Sequence, residues 1–320
     1  MQTIATRSSH PRGFACWSWL PLLLVLLGGC SIKKMAINKL GDALSGSGTS
    51  FASDDDPELV KAAVPFSLKL IESLLAESPQ HKGMLLAACS GFTQYSFAFV
   101  NQDADEMEDT DIAAATKMRA RAKRLYLRAR GYGLRGLEVK HPGFEQALRK
   151  NHKSTVKSAT ASDVPLLYWT AAAWGSAISV SKDDPALVSD QIIVESLIDR
   201  ALELDEDFDQ GAIHGFLIAY EMSRQGVTGD PALRAKKHFD RAMEISRGKL
   251  ASPLVSFAES VSVQNQNRAE FQSLLNQALA IHPDAVPESR LQNLVAQRRA
   301  RWLLGRVDDL IIGGAKTDGK

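Results

Sequence analysis

Cysteine is scarce in this chain: three in 320 residues, Cys16, Cys30 and Cys89. The first two lie in or at the end of an N-terminal apolar segment, so a processed body keeps one free thiol. One thiol supports neither a disulfide framework nor a cysteine-based zinc site. Cys89 ends the run Leu85-Leu86-Ala87-Ala88-Cys89, the setting of a small buried core residue. An excess of charge of one sign is also missing. Lys and Arg number 38 against 37 acids, for a net charge of +1. That excludes a dedicated nucleic-acid binder, which would be strongly basic. Catalytic motifs are absent as well: there is no glycine-rich phosphate loop, no His-Glu-x-x-His and no Gly-x-Ser-x-Gly. His81, His141, His152, His214, His238 and His282 are scattered singly. His214 and Glu221 share a helix face at i, i+7, but two ligands do not make a metal site. No catalytic residue, metal or cofactor is expected, and a hydrolase with an unfamiliar site is the weakest reading.

What the chain does have begins with an export signal. Arg7, His10 and Arg12 precede an apolar stretch over 14–27 that ends in Leu27-Gly28-Gly29-Cys30. A positive start, a short apolar run and small residues before a cut site describe a secretory signal. The run is shorter than the ~20 residues a membrane-spanning helix needs. Its ending resembles the lipobox of bacterial lipoproteins, with Gly28 a less usual residue there. Cys30 is the expected acyl acceptor, and each buried methylene contributes ~0.8 kcal/mol to anchoring. Ser31, rather than Asp, points to the periplasmic face of the outer membrane. Residues 41–53 are rich in Gly, Ser and Thr, a flexible tether. Ahead of it Ile32, Met35, Leu40 and Leu44 lie among Lys33, Lys34 and Lys39, which suits either a turn resting on headgroups or a solvated leader. The expected organisation is a signal over 1–29, a lipidated cysteine and tether over 30–53, and a helical domain over 54–315.

That domain reads as helix after helix. Val60, Val64, Leu68, Ile71 and Leu75 recur at spacings of three and four, as do Val194, Leu197, Ile198, Ala201 and Leu204, so each set shares one face. Asp56-Pro57, Asp184-Pro185 and Asp230-Pro231 supply an N-cap followed by proline, and Ser252-Pro253 is expected to repeat the device. Helices are predicted near 58–77, 82–100, 111–139, 163–181, 186–204, 208–224, 230–247, 251–265, 267–281 and 287–311. Pro65 predicts a late start or a kink in the first, and 150–162 reads as a polar loop. Leu74, Ala129, Ala201, Ala242 and Ala278 occupy the small-residue position of tetratricopeptide second helices. Their spacings are uneven where a regular array keeps about 34. The expected fold is all-α: stacked antiparallel helix pairs in a degenerate tetratricopeptide-like array, with an irregular bundle as the alternative.

Three segments could carry interactions. Asp103, Asp105, Glu106, Glu108, Asp109 and Asp111 lack the glycine and spacing of a calcium loop, so a solvated acidic loop is expected. In the helix that follows, Lys117, Arg121, Arg124 and Arg128 share a face, which reads as an anionic ligand or partner surface or as a solvated face. Tyr168, Trp169 and Trp174 form the densest aromatic feature; the two tryptophans diverge by about 140° on a helix. Core packing and pocket lining both fit them.

Several stretches together carry a family resemblance: Ala36-Ile37-Asn38-Lys39-Leu40-Gly41-Asp42-Ala43-Leu44, Ser53-Asp54-Asp55-Asp56-Pro57-Glu58-Leu59-Val60, Phe92-Thr93-Gln94-Tyr95 and Tyr126-Leu127-Arg128-Ala129-Arg130. Tyr168-Trp169, Gly211-Ala212-Ile213-His214 and Arg299-Ala300-Arg301-Trp302-Leu303-Leu304 complete it. Over about 30–310 the chain resembles the TatT component of tripartite ATP-independent periplasmic (TRAP) transporters. The resemblance implies a non-enzymatic lipoprotein with cryptic tetratricopeptide-like pairs and a pore or cavity. It also implies partnership with the transporter's periplasmic solute-binding protein, self-association as a trimer, and a hydrophobic or organic-acid ligand. The competing expectation is an outer-membrane envelope assembly scaffold with a protein-binding surface.

Overall fold

Aspartate caps set the rhythm of the chain. In the computed structural model, Asp56 accepts from the Glu58 and Leu59 N–H groups at 3.0 Å, Asp111 from Ala114 at 2.9 Å, Asp184 from Leu187 at 3.2 Å and Asp230 from Ala232 at 2.9 Å. Each satisfies donors that the first helical turn leaves unpaired. The structure describes residues 2, 3 and 35–312, apart from 45, 47, 225 and 227. The expected signal, and Cys30 with it, therefore lie outside the described residues.

We number the long helices α1 (Pro57–Glu77), α2 (Lys82–Met107), α3 (Ile112–Lys140), α4 (Val164–Ser179), α5 (Gln191–Leu204), α6 (Phe208–Glu221), α7 (Pro231–Ile245), α8 (Ser252–Phe257), α9 (Arg268–Ala280) and α10 (Arg290–Gly305). No strand occurs among the described residues, so the protein is all-α. Consecutive helices pack on one another. A larger core runs from Val60 to Tyr220 and a smaller one from Ile218 to Ile311. Helix α6 belongs to both: Ile213 and Leu217 face the first core and Ile218 the second. Ala129, Ala201, Ala242 and Ala278 are all buried.

The smallest residues mark the tightest packing. A Cβ on Gly133 would lie 2.1 Å from Thr170 Oγ1 and 2.9 Å from Cys89 Sγ, so α3 meets α2 and α4 there backbone to side chain. Burial pushes the Cys89 thiol up to about 12, which fits an inert packing residue.

Several expectations change. Helix α1 starts at Pro57 and continues through Pro65 rather than starting late. Ser252 does not cap α8, since it is already helical; the Ala251 N–H donates instead to Asn293 Oδ1 at 2.9 Å. Helix α2 reaches Met107 through a π-helical segment, Ser96–Asn101, and α8 passes into another, Ala258–Ser262. Helix α6 is kinked at Asp209, Gln210 and Gly211, with φ of +47°, +57° and +87°. Left-handed backbone is costly for the two residues that carry a Cβ.

The 150–162 connection is not a plain loop. It holds short turns at His152–Thr155 and Val156–Ser158 and leads to the fully buried Asp163. That carboxylate accepts from Lys140 at 2.8 Å, Lys82 at 3.1 Å and the Thr160 N–H at 3.0 Å, with His141 Nε2 at 3.1 Å. Burial alone would raise its pKa; the bonds from Lys140, Thr160, His141 and Lys82 outweigh it and hold the carboxyl well below its usual range.

Candidate functional site

The acidic run is not a solvated loop. Asp103, Asp105 and Glu106 occupy the last turns of α2 and meet cations from both ends of the chain. Arg298 reaches Asp103 at 2.8 Å and Glu106 at 2.5 Å, while Arg299 bridges Asp105 at 2.9 Å and Glu259. Arg306 pairs with Asp109 at 2.9 Å, Arg119 with Asp105 and Glu108, and Lys61 with Asp103 at 2.7 Å. The Arg290 guanidinium also donates to Ser53 O at 2.9 Å. Helix α10 thus folds back on the end of α2 and on the segment before α1. Sequence alone could not show this, because the partners are nearly 200 residues apart.

The cations of α3 divide by face. Arg119, Lys123 and Arg130 point toward acids: Lys123 meets Asp184 at 3.0 Å, and Arg130 lies 4.0 Å from Asp190 and 4.6 Å from the Trp174 ring. Lys117, Arg121, Arg124, Arg128 and Arg135 are exposed. Their spacings of four, three, four and seven keep them on one stripe. Beneath it lies a bed of rings. Arg121 sits 5.8 Å over Tyr95, Arg128 5.4 Å over Phe92 and Arg135 5.3 Å over Tyr132, and Phe92 and Tyr132 stack at 6.0 Å. Glu72 lies 3.7 Å from Arg128, but Lys69 at 2.6 Å and the Tyr132 hydroxyl at 2.7 Å already engage it. Burial would raise the Glu72 carboxyl, yet Lys69, Tyr132 and Arg128 keep it below the usual range. The same contact and burial push the Tyr132 phenol up to about 12.

The aromatic segment of α4 splits as its spacing requires. Trp174 is 0% exposed, with the guanidinium groups of Arg130 and Arg149 4.6 Å and 5.8 Å from its ring centroid. Trp169 is half-buried and meets Tyr168 edge-on at 4.9 Å; Tyr168, itself buried, rests 5.4 Å from Phe208 next to the kink in α6. The structure brings Tyr168 and Trp169 together and leaves Trp174 enclosed.

Two features escaped the sequence. His214 and His238 face each other with Nδ1 atoms 2.9 Å apart, and Glu206 lies 3.5 Å from the other nitrogen of His214. Burial lowers both pKa values, to about 4 for His238, where the neighbouring His214 adds to the effect. The second is the docking of the segment before α1: Asn38 accepts from Ser78 at 2.8 Å, and His81 lies 3.2 Å from Asn38 O and 3.3 Å from Asp42. Asn38, Ser78, Pro79, Gln80 and His81 line a shallow cleft of about 370 Å³ there. Among the described residues no three His, Cys, Asp or Glu side chains converge as a metal site.

A wholly helical body, with a cationic stripe on one helix and its two ends joined by ion pairs, defines an all-α protein of successive packed helices. Residues 53–311 match the family described as TRAP transporter T-component, and the chain belongs to that family. Membership points to a TRAP-associated accessory role, and the proteins of that family are membrane-associated transporter components. The chain is also similar to an uncharacterized protein of Treponema pallidum (strain Nichols), 27% identical over 95% of this chain and 99% of the relative.

Proposed function

We propose that this protein is a non-enzymatic lipoprotein, acylated at Cys30, that docks the periplasmic solute-binding protein of a TRAP-type transporter. In this reading residues 1–29 are removed, 30–53 tether the body, and 54–315 form a tetratricopeptide-like array on the periplasmic face of the outer membrane. The observation that carries the reading is the family match across nearly the whole helical body. The buried alanines at helix contacts support the tetratricopeptide-like arrangement, since small residues there let helix pairs approach closely. Tyr168 and Trp169, beside the kinked start of α6, are the proposed contacts for a hydrophobic or organic-acid ligand. Trp174 backs them from the interior. Arg121, Arg124 and Arg128 offer a surface for an anionic partner.

Affinity purification of the full chain from native membranes, with mass spectrometry, tests this. The expected result is co-purification of a TRAP solute-binding protein and an acylated N-terminal peptide at Cys30. Recovery of barrel-assembly or cell-wall factors in its place would support the scaffold reading and overturn this one. Size measurement of the purified protein checks the trimer that the family resemblance implies.

A further inference from the structure

The stripe on α3 has a length, a direction and a starting point. From Lys117 to Arg135 it extends about 27 Å at 1.5 Å per residue. All five cations are exposed, and Gly131, in line with them, has open space above its backbone. Glu72, 3.7 Å from Arg128, is already held by Lys69 and the Tyr132 hydroxyl. The stripe therefore presents net positive charge along a straight helix. Its Arg135 end donates to Pro79 O at 3.1 Å, one residue from Ser78, which bonds Asn38 of the segment before α1. In that segment Met35, Lys39 and Leu40 are exposed, the two apolar side chains by 54% and 47%. The stripe thus begins where the chain leaves toward Cys30, five residues before Met35.

From this placement we infer that the stripe lies against the phosphate headgroups of an anionic bilayer and sets the orientation of the body on its membrane. The inference rests on the proposed lipid anchor, which fixes the chain at the Arg135 end and leaves the cations free to swing onto the same surface. Guanidinium forks pair well with phosphate oxygens. Stacking on Tyr95, Phe92 and Tyr132 holds three of them in place in advance, which reduces the ordering cost on docking. Each cation near an anionic surface strengthens attachment about fivefold at low salt. An acidic protein is the competing occupant. The nearness of the stripe to the tether, and the exposed Met35 and Leu40 at that end, favour the bilayer.

The test uses the full chain bound to vesicles of phosphatidylcholine, with or without phosphatidylglycerol. A fluorophore on Gly131→Cys reports contact, and headgroup-labelled lipid quenches it. The expected result is strong quenching in the vesicles with phosphatidylglycerol, weakened several-fold by high salt. Replacing Lys117, Arg121, Arg124, Arg128 and Arg135 together by Gln should abolish it, while a native circular-dichroism spectrum and a cooperative melt show that the variant is folded. Arg→Lys at the four arginines should retain most of it. Equal quenching with and without phosphatidylglycerol would overturn the inference. So would shielding of the fluorophore by an added solute-binding protein with no lipid quenching. Retention on neutral vesicles reads the lipid anchor separately, so loss of that retention fails the anchor and leaves the stripe to be judged by its own signal.

Discussion

His214 and His238 show what two ordinary residues become when folding presses them together. With their Nδ1 atoms 2.9 Å apart, one nitrogen must accept the other's proton, so the pair does not hold two positive charges comfortably. His238 titrates near 4 in the folded protein, against about 6.5 in an unfolded chain. Between those values the unfolded chain binds a proton that the folded one refuses. Stability is then full above about pH 6.5 and falls as pH drops toward 4. The charged groups facing the pair are Glu206, Asp207 and Arg241 on the His214 side, and Glu221 and Arg224 on the His238 side. His238→Gln should remove roughly 2 kcal/mol of that pH dependence, seen as a smaller gap between urea midpoints at pH 7 and pH 5. None of this was legible in the sequence, where the two histidines stand 24 residues apart without a motif.

Helices were the legible layer. Spacing and caps located the helices closely, although the one expected over 186–204 divides into Pro185–Val188 and Gln191–Leu204, because a 3.6-residue stripe and an aspartate before proline are local signals. What stayed hidden depends on neighbours in space. The kink at Asp209–Gly211, the π-helical turns and the knot at Asp163 answer to packing and to distant donors. Gly133 belongs here too: glycine inside a helix reads as a weakness in sequence, yet it is the point where three helices meet. Gly133→Ala should force Thr170 and Cys89 apart and cost about 2 kcal/mol, measurable as a lower denaturation midpoint. The same substitution at Gly131, which faces open space, should instead be neutral or mildly stabilising. The cationic stripe was visible as a pattern, but its bed of rings was not. The partners of the acidic run were also out of reach, since ion pairing over so long a chain separation leaves no local trace.

At the scale of the molecule, the charges that read as a solvated loop fasten the last helix to the first ones. Arg298 and Arg299 are the centre of that clasp. Replacing both with Ala leaves Asp103, Asp105, Glu106 and Glu259 short of cations and should cost about 2 kcal/mol, since these pairs are partly buried. Hydrogen exchange in α10 and in the end of α2 should quicken together, while α4 and α5 keep their protection. High salt should weaken the clasp in the same direction. Uniform quickening across all helices would mean that the two ends do not open as a unit.

A row of stacked hairpins normally leaves a raw face at either extremity and can lengthen by duplication, with polar terminal units to keep each face soluble. Here Arg298, Arg299 and Arg306 at the close of the helical body sit on the acids at the end of α2. A further helix pair following Arg306 would have to leave those ion pairs in place or give up the tie between the last helix and α2.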